Sequence, residues 1–85
     1  MPEISRFLGI IITIYYRDHQ PPHFHAIYWN YEITVEIETG IVNGHFPKRA
    51  LKLVLEWYEL HKDELNKVWE LARHRKPLQK ITPLE

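Results

Sequence analysis

Two adjacent prolines, Pro21 and Pro22, constrain this chain more than any other feature. Each fixes its own φ and lacks a backbone donor, so the loop ahead of them is neither helix nor a flexible hinge. They make a stiff corner. The surrounding ten residues, Arg17 to Ala26, read R-D-H-Q-P-P-H-F-H-A and hold one aspartate and three histidines. His23 and His25 sit at i and i+2, a spacing that turns both rings to one side of an extended strand. Asp18 and His19 lie just before the corner, close enough to fold back towards them.

The flanking sequence is β-rich. Ile4 to Tyr16 carries a β-branched and aromatic run with apolar residues on both faces, which reads as a strand buried on two sides or meeting another subunit, with Gly9 marking a bulge or a join. After the corner, His23 to Tyr28 reads as a second strand. A tight turn at Trp29-Asn30, or at Asn30-Tyr31, leads into Glu32 to Glu38, a strict alternation that assigns Ile33, Val35 and Ile37 to a core and Glu32, Thr34, Glu36 and Glu38 to the other face. Thr39-Gly40 turns the chain into a fourth strand, Ile41 to Phe46.

Hairpin arithmetic places the histidines. Residues directly opposite in a two-residue hairpin share a face, and either turn after Tyr28 pairs even positions with odd ones. Phe24, Ala26 and Tyr28 therefore join the core side. His23 and His25 fall on the other side, beside Thr34 and Glu36. With Thr39-Gly40 as a two-residue turn, Val42 and Phe46 join the core and His45 the polar face.

From Pro47 onward the period changes to that of a helix. Arg49, Lys52, Glu56 and Glu59 form a polar stripe, and Leu51, Val54, Leu55, Trp57 and Tyr58 cover most of the rest. A second stripe, Leu65, Val68, Trp69 and Ala72, follows Asp63, a plausible N-cap. One straight helix through Arg75 would be about 40 Å long, too long for a sheet of four short strands, so the sequence predicts two helices with a break at His61 to Asp63. Pro77 ends the second. Leu78, Ile81 and Leu84 alternate with polar residues in a tail that either docks back or pairs with a partner. The expected fold is α+β: a single domain, residues 1–85, with an antiparallel meander of about four strands and two C-terminal helices packed on one face.

Size and composition limit the function classes. Eighty-five residues make one small core that is marginal without help. There is no cysteine, which removes disulfides and thiolate zinc sites and leaves histidine or carboxylate ligation, or association, as sources of that help. Three Trp, five Tyr and three Phe favour a homo-oligomer or a protein partner, because aromatics dominate cores and interfaces alike. Eleven basic and eleven acidic residues balance, so nucleic acid is an expected partner only through a local patch at Arg73 to Lys80, where cations also complement a helix C-terminus. The start of the chain lacks a secretory pattern and the run at Leu8 to Ile14 is too short to span a bilayer, so the expectation is a cytoplasmic protein without membrane contact.

Three site readings follow from the residues. A metal site would use His23 and His25, with Asp18, His19 or Glu36 completing it, for zinc, nickel or iron(II). Acid–base chemistry, such as metal-free RNA cleavage, would use His23 and His25 as base and acid, tuned by Asp18 and Glu36. A binding module would use the stiff corner as a recognition surface.

The P-P-H-F-H-A segment, with the S-R-F-x-G start, the Y-E-x-x-x-E-I-E-T-G hairpin and the P-x-R-A-L-x-L-V-L-E-W helix opening, resembles DUF4160, a family of short bacterial proteins of unknown function. The resemblance runs from Ile4 to about Leu84. It implies that Asp18, His19, Pro21, Pro22, His23, Phe24 and His25 are the family's common feature. It also implies a setting: a small partner protein encoded nearby, in an arrangement of the toxin–antitoxin kind, with this chain as either member. The expected function is accordingly a small interaction domain of such a two-gene module.

Overall fold

The fold is that of a computed structural model, which describes residues 2–84. Five antiparallel strands, β1 (Glu3–Phe7), β2 (Ile10–Thr13), β3 (His23–Tyr28), β4 (Tyr31–Glu36) and β5 (Val42–His45), lie in sequence order and are followed by one helix, α1 (Lys48–Arg73). The α+β class agrees with the alternation and the change of period. Two counts do not.

The first correction is the strand count. The apolar run from Ile4 is not one strand: Leu8 and Gly9, at φ of 50° and 83°, reverse the chain so that Phe7 pairs with Ile10. Two successive left-handed residues make the hairpin turn whose twist matches that of its strands. Gly9 supplies one at no steric cost, and a Cβ there would press to 3.3 Å from the Tyr28 ring.

The second correction is the helix count. One helix runs through, with His61 out of helical geometry at φ −123° and ψ 21°. The predicted break is therefore present as a kink at its predicted place. A straight helix of 26 residues would reach about 39 Å, beyond the 33 Å longest extent of the domain. The bend keeps Leu65, Val68, Trp69 and Ala72 in the same core as Ala50, Val54, Trp57 and Tyr58. Lys62 Nζ donates to the Glu38 carbonyl at 3.0 Å and His61 Nδ1 meets Glu64 Oε1 at 2.7 Å, whereas Asp63 makes no cap hydrogen bond among the described residues.

Face assignments hold throughout the meander. Tyr28 pairs with Tyr31 across Trp29-Asn30, so Phe24 opposes Val35 and Ala26 opposes Ile33, all four buried in the core shared with α1. The turn after β4 is longer than Thr39-Gly40: Val35 pairs with Val42 and the loop spans residues 37–40. That slip is by two residues, and an even slip keeps every side chain on its face. Val42 and Phe46 remain on the core side and His45, opposite Glu32, on the other.

The tail docks back. Ile81 N–H donates to the Ile4 carbonyl at 2.8 Å and Trp57 Nε1 donates to the Thr82 carbonyl at 2.9 Å, with Ile81 buried and Leu78 and Leu84 packed on the core. Among the described residues no helix is long and apolar enough to cross a membrane.

Candidate functional site

The corner before β3 and the outer face of β3 and β4 build one site. Pro22 ends the corner by accepting Ile37 N–H at 2.9 Å, and Arg17 N–H reaches the Ala72 carbonyl of α1 at 3.3 Å, so sheet and helix hold both ends of the segment. Asp18 is folded back over β3. Its Oδ1 accepts His19 N–H at 2.8 Å, and its Oδ2 lies 2.9 Å from His23 Nε2 and 3.3 Å from His25 Nε2. One donor atom from each of Asp18, His23 and His25 lies within 4.8 Å of the other two.

The other ring nitrogens are also fixed. His23 Nδ1 donates to the Pro21 carbonyl at 2.8 Å, since a carbonyl only accepts. His25 Nδ1 meets Glu32 Oε2 at 3.0 Å, and the carboxylate again accepts. Both Nδ1–H groups are thus committed. In the neutral rings, both Nε2 lone pairs then face the same carboxylate oxygen. Three electron-rich atoms converge on one point, and only a proton or a cation between them makes the arrangement favourable.

Aromatic packing holds the rings in place. His23, 5% exposed, lies 5.3 Å from the Trp69 ring and stacks at 4.8 Å on His19, while the Tyr15 ring meets His25 edge-on at 4.4 Å. Trp69 belongs to the half of α1 that follows the kink at His61. For Asp18, burial pushes the carboxyl pKa up, but the His19 N–H, the hydrogen bond from His25 and the charges of His23 and His19 outweigh it and hold the carboxyl below its usual value.

Not all candidate residues converge. His19 is largely exposed, with Nδ1 at 3.2 Å from the Gln20 carbonyl and Nε2 at 3.7 Å from Asp18 Oδ1, and so stands at the rim. Glu36, opposite His23, accepts from Thr39 Oγ1 at 3.1 Å and lines a hollow of about 290 Å³ beside His23 and His25 together with Thr34 and Asn43. His45 packs near Tyr31 instead. Glu32 is the residue the alternation passed over as an ordinary solvent-facing carboxylate. The signal was available: His25 pairs with Thr34, and Glu32 is two positions along the same face, within diagonal reach.

The family model for a domain of unknown function, DUF4160, matches residues 9–70, more than half of the chain and all of the corner. The chain belongs to the DUF4160 family. No curated protein and no solved structure matches it. Within the DUF4160 match lie β2 to β5, the Asp18 to His25 segment and the helix as far as Glu70, so every side chain that converges on Asp18 Oδ2, and the Trp69 behind them, falls inside the family's extent. The Ile81 tail and β1, which close the other edge of the sheet, fall outside it.

Proposed function

We propose that this chain is a small binding domain whose working surface is the Asp18 to His25 corner, and that the corner holds a divalent transition-metal ion through Asp18 Oδ2, His23 Nε2 and His25 Nε2. The observation that carries this is the commitment of both Nδ1 atoms to oxygen acceptors, a backbone carbonyl for His23 and Glu32 for His25. Metal-bound histidines are oriented by such acceptors, which fix the tautomer and strengthen the ligand. The two distances from the carboxylate support it. An ion about 2.1 Å from each donor needs donor separations of about 3.0 Å at right angles or about 3.4 Å in a tetrahedron, and Asp18 Oδ2 is 2.9 and 3.3 Å from the two nitrogens. Two imidazoles and one carboxylate on one side of an ion suit zinc, nickel or iron(II) and leave positions open towards the hollow.

The context of this reading is the expected two-gene module, in which the ion-bound corner serves recognition of a small partner protein. The test is the metal content, by elemental mass spectrometry, of untagged protein purified without chelator, beside a His23→Ala/His25→Ala variant. Near-stoichiometric zinc, nickel or iron in the parent, lost in a folded variant, is the expected result. A folded parent that carries no metal and takes up none of the three on titration sinks the proposal.

A second reading has its own support. With both nitrogens of each ring against oxygen acceptors, His25 and His23 are also placed to carry protons, as a metal-free acid–base pair would need. RNA cleavage that persists in chelator and disappears in His25→Ala would favour that chemistry.

A further inference from the structure

The end of the domain remote from the Pro21-Pro22 corner carries a second feature, independent of the metal reading. Register brings the β1–β2 and β3–β4 turns to this end, because Phe7 pairs with Ile10, Ile10 with Tyr28 and Tyr28 with Tyr31. α1 also begins here, after β5 has run back beside Glu32. Both turns break a rule of turn chemistry in the same way. Leu8 at φ 50° and Trp29 at φ 55° occupy left-handed positions that ordinarily take Gly, Asn or Asp. A bulky apolar residue there is strained, and such strain persists where it serves a site.

Neither side chain repays the strain by burial. Leu8 is 63% exposed and Trp29 82% exposed. Between them lies Tyr28, whose ring would stand 3.3 Å from a Cβ placed on Gly9 and is edge-on to Trp29 at 6.5 Å. Tyr28 is also part of the wall of a hollow of about 350 Å³, completed by Leu8, Ile10, Pro47, Arg49 and Leu53. The side chains lining the hollow are apolar apart from Tyr28 and Arg49, and Lys48 and Lys52 lie near Arg49 in the first turns of α1. Lys48, Arg49 and Lys52 are exposed and form no ion pair among the described residues, the first turn of α1 has no acidic residue, and Pro47 offers no side-chain cap. The positive end of the helix dipole adds to that charge.

We propose that this end docks an acidic segment of a partner protein, with an apolar side chain of that segment seated in the hollow against Tyr28 and Leu8, Trp29 covering it, and carboxylates against Lys48, Arg49 and Lys52. Charge complementarity decides the occupant: unpaired cations at the start of α1, with Arg49 in the wall of the recess, attract an acidic ligand and repel a basic one. Trp and Tyr at the centre, with Arg at the margin, are the residue types that dominate binding energy at protein interfaces.

The test selects from a display library of random dodecapeptides against the full chain. The turn-compatible substitutions Leu8→Asn and Trp29→Asn serve as counter-target. These should raise the melting temperature by a few degrees, since they relieve strain, and weaken the selected peptides by about tenfold or more. The expected peptides combine Asp or Glu with a large apolar residue, and their affinity falls with salt and with Lys52→Glu. Basic or uncharged winners, or winners that bind the Asn variants equally well, overturn the proposal. So does sedimentation showing that the chain alone forms dimers that Trp29→Asn dissolves, because the occupant would then be a second copy.

Discussion

Asp18 shows how much one side chain can organise in a small protein. Its two oxygens serve different masters, Oδ1 the backbone of the next residue and Oδ2 two imidazoles that arrive from a strand five and seven positions later. The His19 N–H bond to the ionised Oδ1 is charge-assisted, and such bonds net about 1 kcal/mol more than neutral ones, so Asp18→Asn should lower stability by roughly that amount near neutrality, measured by urea unfolding of chelator-treated protein. The pH dependence has a definite sign. The Asp18 carboxyl is held below its usual value in the fold, so its contribution is full above the unfolded carboxyl pKa, about 4, and is lost as pH falls through the folded value. Parent and Asp18→Asn should therefore begin to converge in stability below about pH 4 and meet below the folded value, and a gap that stays constant down to pH 2 would show that the charge is not what Asp18 contributes. The histidines were legible at this scale, because i and i+2 on a strand decide a shared face. Glu32 was harder to read, because a diagonal contact depends on which rotamer a long side chain adopts.

Among the elements, β5 is the one most tightly specified by a single residue. Gly44, at φ 106°, faces Ile33 across the ladder, and a Cβ there would lie 2.7 Å from the Glu32 carbonyl oxygen and 3.1 Å from Ile33 Cα. Both obstacles are backbone and cannot step aside. Gly44→Ala should cost at least about 2 kcal/mol, read as a fall in melting temperature of about 8 °C or more for a domain of this size; a change under 2 °C would mean that β5 contributes little to the sheet. The helix teaches a different lesson. Its apolar stripe continued in phase through His61, so periodicity alone gave no reason to bend it, and length against the sheet was the argument that placed the break. The structure bends at His61 without ending there, and beyond the bend Trp69 packs on His23 and Ala72 accepts from Arg17. The first strand misled for a related reason: Leu8-Gly9 carries one glycine and a leucine, and leucine is not a residue that announces a left-handed turn.

At the level of the whole molecule, closure depends on the C-terminal tail. An edge strand offers unpaired backbone groups to any other edge, and here Ile81 donates to the Ile4 carbonyl of β1 while Thr82 accepts from the central Trp57. Ending the chain at Pro77 would remove the buried Ile81 side chain, worth about 1.5–3 kcal/mol, and uncover that edge. The truncated protein should melt lower and self-associate at concentrations where the parent does not, as followed by light scattering; an equally stable, monodisperse product would show that the tail is dispensable. What the sequence by itself determined is everything that a local rule governs. The period of two in Glu32 to Glu38 set the core face, the two prolines set a corner, the i, i+2 spacing turned His23 and His25 to one side, and the total of helical residues demanded a bend. Only the tertiary structure decided that Asp18 Oδ2 is the point on which both rings converge, that Glu32 rather than Glu36 secures His25, and that Leu8 and Trp29 stand exposed at the same end. Those are distances between residues that no local rule ties together, fixed by the register of five strands and the angle of one kinked helix.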